Sequence, residues 1–227
     1  MKKMKKVLTR VIVWLIVLAF AAWGVGQIAR FINENRVLKQ VIERLKADTR
    51  IAEVLVTNVY FDEKTGKEWT TIKFLEYDTS GRAMAPKYFT FCGNIIQFQS
   101  LVIRFDDSFV VRGDSLRGKS IYLFWKAFML DGAKTQEFEI TRLGRIPEGY
   151  RTGSEVHPFE ERLWQRFWQY ALNPEAAKKM GIKNAQIEAP GTMFVPGTLY
   201  TIKIEHDGGM RIDSRSLPAI LRGERIP

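Results

Sequence analysis

The sequence predicts a β-rich α+β domain, a sandwich or open barrel with a helical hairpin, preceded by one transmembrane helix and a coiled-coil-like neck. Three observations carry this reading. Val11 to Ala29, VIVWLIVLAFAAWGVGQIA, contains no Asp, Glu, Lys or Arg. Apolar residues then recur at heptad spacing as far as Ala52. From Glu53 the pattern is mostly of period two, broken by helical segments near 158–172 and 174–180.

At about 1.5 Å of rise per residue the uncharged run spans roughly 29 Å, the hydrocarbon thickness of a bilayer. A charge at the centre of such a helix costs several kcal/mol in lipid, so the clean run describes its solvent. Lys2, Lys3, Lys5, Lys6 and Arg10 precede it with no acidic residue. Basic residues beside a first apolar segment stay in the cytoplasm, so residues 1–10 form a cytoplasmic tail and the C-terminal part is extracytoplasmic. The predicted location is the inner, cytoplasmic membrane, single-pass, with a periplasmic domain. A cleaved signal peptide is the competing reading, because Ala19-Phe20-Ala21 has the small-x-small form of a cleavage site. The apolar run continues through Trp23, Val25 and Ile28, which a cleaved segment does not need.

Charge follows the same division. The chain of 227 residues has a formal net charge of +10 from 35 basic and 25 acidic side chains. Six of the basic ones lie in residues 1–30, which leaves 29 against 25 in the remainder. The excess is therefore largely a topology signal whose partner is the anionic face of a lipid bilayer, and nucleic acid is not indicated. A single cysteine, Cys92, excludes an intramolecular disulfide, so the exported part holds together by core burial.

In residues 30–52 the period becomes heptad. With Ile28 at a, the a positions are Ile28, Asn35, Ile42 and Thr49, and the d positions are Phe31, Leu38, Leu45 and Ala52. Apolar side chains every 3.5 residues on a strongly charged helix read as a seam between parallel chains, with Asn35 as a polar register pin. A homo-oligomer through Ile28, Phe31, Asn35, Leu38, Ile42 and Leu45 is expected. An amphipathic helix packing on its own domain is the alternative, because Val37 and Val41 broaden the stripe.

Residues 53–227 open with EVLVTNVYFD and WTTIKFLEYD around a Gly-containing turn, which is a hairpin. FTFCGNIIQFQSLVIRFDD reads as one long or two short strands bent near Gly93-Asn94, followed by SFVVR, SIYLFWKAFML and QEFEITRL. TLYTIKIEH and MRID flank Asp207-Gly208-Gly209, a second hairpin. His157-Pro158 opens the helix PFEERLWQRFWQYAL, with Pro at its first position and Glu160 and Glu161 at the positive end of the dipole. Asn173-Pro174 caps a shorter helix that Gly181 stops.

No catalytic, cofactor or metal site is assigned. GDSLRGKS, Gly113 to Ser120, fits the P-loop pattern letter for letter. A phosphate cradle needs a helix to open at Lys119, whereas SIYLFWKAFML is β-branched and aromatic, so a turn is expected there. Two histidines, His157 and His206, allow no zinc spacing or catalytic order. Asp106 and Asp107 are adjacent on a strand and point to opposite faces, which favours turn chemistry. The Trp164, Phe167 and Trp168 stripe reads as core.

The order of parts resembles bacterial envelope scaffold proteins of the rod-shape-determining type, and the likeness is one of architecture. It implies a non-enzymatic, self-associating envelope protein whose head binds other envelope proteins or glycans. The alternatives are a glycan- or anionic-polymer-binding module and an envelope hydrolase.

Overall fold

The computed structural model describes residues 14–29, 32, 51–78, 80–105, 120–131, 134–151, 155–173, 175–176, 182–204 and 209–218. The chain divides into two compact units, Met1–Gln40 and Val41–Pro227. In the first unit residues 14–29 form helix α1, whose large apolar side chains are exposed. Among the described residues no helix is long and apolar enough to cross a membrane. Residues 11–13 of the predicted span lie outside the described residues. So do the neck positions Phe31, Asn35, Leu38, Ile42, Leu45 and Thr49. Ala52, assigned to the last d position of the neck, stands in a strand instead and is fully buried. Its i, i+2 relation to Val54 and Val56 wins over the heptad at this point, because both of those side chains enter a core.

The second unit runs β1 (Ile51–Asp62), β2 (Lys67–Glu76), β3 (Lys87–Phe91), β4 (Ile95–Phe105), β5 (Ser120–Asp131) and β6 (Lys134–Glu139). A 3-10 turn at Glu148–Tyr150 and helix α2 (Pro158–Leu172) follow. Then come β7 (Ile182–Glu188), β8 (Gly191–Met193), β9 (Thr198–Ile204) and β10 (Met210–Ser216). One antiparallel sheet has the order β10-β9-β1-β2-β3; the other has β6-β5-β4-β7, with β8 also paired to β4. The predicted hairpins are present, with Asp62 opposite Lys67 in β1–β2 and Met210 opposite Ile204 in β9–β10. At the first turn Gly66 takes φ 64°, a left-handed conformation that favours glycine. The Asp62 carboxylate there accepts from the Lys64 N–H at 3.0 Å and the Thr65 hydroxyl at 2.7 Å.

Between β3 and β4 the chain leaves one sheet for the other. The bend predicted near Gly93 is this crossing, and Gly93 makes it at φ 125°. The two sheets share one core: Val54, Ile72, Phe74 and Phe91 from the first meet Ile96, Phe98, Phe124 and Met129 from the second. Ring pairs join the layers, with Phe74 to Phe98 and Phe74 to Phe124 both at 5.5 Å between centroids. In β5, Trp125 is an extra residue where the register shifts at Gln99/Ser100, so the inward set passes from Tyr122 and Phe124 to Ala127 and Met129.

Helix α2 adds a third layer against β4 and β7. His157 Nδ1 accepts the Phe159 N–H at 3.1 Å, which satisfies a helix-start donor as predicted for this residue. Trp164, Phe167, Trp168 and Ala171 recur at helical spacing and are buried. Tyr150 is packed at 5.1 Å from Trp164, and its hydroxyl donates to the Tyr122 carbonyl of β5 at 2.6 Å. Residues 175–176 are helical, while 174 and 177–180 of the predicted second helix lie outside the described residues, as does Gly181.

Candidate functional site

Of the residues whose type drew attention in the sequence, few fall among the described residues. His157 is a helix cap, and His206, Asp106, Asp107 and Gly113–Lys119 lie outside the described residues. Ser120 begins β5, so a strand follows Lys119 where a phosphate cradle requires a helix N-terminus. Cys92 is half-buried beside the core, and its N–H donates to Gln136 Oε1 at 2.8 Å. Among the described residues no group of three or more His, Cys, Asp or Glu is placed to hold a metal ion.

Two other places carry chemistry. The first is a cleft of about 480 Å³ at one end of the sheet pair. Phe74 and Phe89 are core residues; two steps along each strand on the same face stand Glu76 and Lys87. The core-facing side of the first sheet thus ends in charge. Lys87 Nζ donates to the Ile140 carbonyl, which ties the end of β3 to the chain leaving β6. That chain, residues 140–151, forms the opposite wall together with Val156 and Glu161 at the start of α2. Trp168 of α2 fixes the wall from behind, its Nε1–H donating to the Arg145 carbonyl at 2.8 Å. Ile140, Thr141 and Ile146 are buried at the base, while Arg142, Arg145, Glu148, Arg151 and Glu161 are exposed at the rim.

The second is the outer face of the first sheet, a network of paired charges. Asp213 accepts from Arg211 at 2.8 Å and from Lys203 at 3.1 Å. Those cations hold its carboxyl below the usual carboxylate range, the hydrogen bond from Arg211 first and that from Lys203 next. Tyr77 donates to Glu53 Oε2 at 2.7 Å, and Arg215 lies 3.7 Å from the other oxygen of Glu53. The bond to Glu53, followed by burial and by the charge of Glu53, pushes the Tyr77 phenol up to about 12. Its folded value is therefore raised above 10.0, so its contribution to stability is intact below pH 10 and is lost as pH rises from 10 to about 12. Subtracting the tyrosinate absorbance titration of Tyr77→Phe from that of the wild type should leave one group with a midpoint near 12. Glu53→Gln should move that midpoint back toward 10.0.

Sequence reasoning missed the cleft because its charged walls come from segments about 60 residues apart, and each basic residue alone reads as solvated surface. No protein-family model, curated protein or solved structure matches the chain. Among the described residues no histidine lines the cleft, whose charged side chains are glutamate, lysine and arginine, and the outer-face network pairs its cations with Asp213 and Glu53.

Proposed function

We propose that the protein is a single-pass, membrane-anchored scaffold of the cell envelope that self-associates through its neck and presents the β-rich unit as a non-enzymatic interaction head. The observation that supports the membrane anchor in this reading is the exposed apolar surface of α1. Trp14, Leu15, Ile16, Val17 and Leu18 are consecutive and expose between 49 and 67% of their surface. At about 100° per residue, five consecutive positions cover every side of a helix, so α1 has no polar face to turn to water. Phe20, Trp23, Val25 and Ile28 continue the pattern. Lipid is the solvent that suits such a surface.

The anionic-polymer reading has less support from the outer face, where Lys203, Arg211 and Arg215 lie beside Asp213 and Glu53 rather than forming a free basic patch.

Light scattering of the detergent-solubilised full chain, corrected for bound detergent, tests the proposal. The wild type should be oligomeric with an intact mass that includes residues 1–30. Leu38→Asp should disperse the oligomer, and Asn35→Leu should stabilise it while blurring strand number, because the matching amide of the partner is then lost. A neck that packs within its own chain gives the opposite result: Leu38→Asp destabilises the head, and Asn35→Leu leaves association unchanged. A strictly monomeric wild type would refute self-association, and a product that begins near Ala22 would refute the anchor.

A further inference from the structure

We propose that the cleft between the end of the first sheet and residues 140–151 is a binding site for a short peptide carrying a free ammonium group and more than one carboxylate. This goes beyond the scaffold reading and does not depend on it, since the site lies within one β-rich unit. The rim presents Arg142, Arg145 and Arg151 together with Glu148 and Glu161, all exposed. None of these five side chains has an ion-pair or hydrogen-bond partner among the described residues, although all border one cavity. The charges of the base are already engaged: Lys87 donates to the Ile140 carbonyl, and Glu76 is buried with a partner of its own.

The rim therefore offers both signs to a ligand, with one guanidinium more than carboxylates. A simple polyanion meets Glu148 and Glu161, and a simple cation meets three arginines. A ligand with carboxylates for the arginine forks and an ammonium for a glutamate satisfies both. A volume of about 480 Å³ falls within the range of small-ligand pockets and suits a segment of two or three residues. Buried Ile140 and Ile146 supply the apolar base against which its stem can lie. The site is built rather than casual: the Trp168 indole holds the backbone at Arg145, and Lys87 holds it at Ile140.

The test is calorimetric titration of the full-length protein in detergent micelles with the tripeptide Ala-Glu-Ala bearing free termini. Its N-acetylated form, its C-terminal amide and inorganic tripolyphosphate serve as comparison probes. Saturable binding of the free tripeptide is expected, weakened about tenfold by N-acetylation and about tenfold by Arg142→Ala or Arg151→Ala, each removing one charged hydrogen-bonding group. Both arginines are exposed, so thermal unfolding of these variants should match the wild type. Glu148→Gln should weaken the free tripeptide yet strengthen the N-acetylated one, a crossover that a folding defect does not produce. Tripolyphosphate or the acetylated peptide binding as tightly as the free tripeptide would overturn the proposal in favour of a general anion site. Absence of saturation at millimolar tripeptide would overturn it outright, whatever the oligomeric state of the protein.

Discussion

Replacing Phe74 by alanine should cost the β-rich unit about 3–5 kcal/mol, the range for a buried phenylalanine whose site cannot collapse. Phe74 is 1% exposed and sits where the layers meet. Its ring stacks on Phe98 with an interplanar angle of 19° and receives Phe124 edge-on at 81°. Both partners belong to the second sheet, whereas Phe89, at 6.3 Å, belongs to its own. Deleting the ring removes contacts across the interface and within one layer at once, and the β-ladders on either side hold the backbones apart. Against a domain stability of about 5–15 kcal/mol this is a large fraction, equivalent to a fall in Tm on the order of 10 °C. Phe61 supplies the control: it is 63% exposed near the tip of the β1–β2 hairpin, so Phe61→Ala should change stability by less than about 0.5 kcal/mol. Urea unfolding followed by circular dichroism compares the two. Equal costs would mean that the sheets do not share the core described here.

The parts of this fold that the sequence made legible are those where one local rule acts alone. The β1–β2 hairpin alternates cleanly into a glycine turn, and α2 begins at His157-Pro158 and ends at Leu172 before Asn173, as its spacing predicts. Strands β7 and β8 were not legible. IKNAQIE alternates poorly, yet β4 supplies it with a full ladder from Ser100 to Phe105, and backbone pairing does not require an apolar side chain. The three residues of β8 pair with Ile95, Ile96 and Gln97 just past Pro190, too short a segment to show a period. Trp125 hid the inward face of β5 for another reason: one extra residue there inverts the alternation, so strict period two fails midway. The candidate cleft was the least legible. Glu76 and Lys87 look like the polar ends of strands, and Arg142, Arg145 and Arg151 look like an ordinary charged loop. Only the crossing of the chain at Gly93, which gives β3 and β4 to different sheets, brings those two segments to the same opening.

Truncating Trp164 to alanine should be as costly as losing Phe74, about 3–5 kcal/mol, for a different reason. The indole is 2% exposed and packs between Phe167 at 4.9 Å and Tyr150 at 5.1 Å. It therefore joins α2 to the 3-10 turn, whose Tyr150 hydroxyl is bonded to β5. The outermost layer loses its seat when this ring is removed. Trp164→Phe separates size from polarity. Trp164 Nε1 is buried without a hydrogen-bond partner among the described residues, and such a donor costs about 1–3 kcal/mol. Phenylalanine removes that cost together with some packed area, so the two changes offset and the net loss should be a fraction of that for alanine. Trp168→Phe runs the other way, because its Nε1–H is bonded to the Arg145 carbonyl at 2.8 Å and no phenyl ring replaces that bond. The expected order of destabilisation is Trp164→Ala, then Trp168→Phe, then Trp164→Phe, read from denaturant midpoints at constant m. Trp168→Phe should also weaken tripeptide binding at the cleft, since the backbone carrying Arg145 loses its tether, while Trp164→Phe should not. A Trp164→Phe loss equal to that of Trp164→Ala would show that the indole N–H is satisfied and that α2 is seated differently.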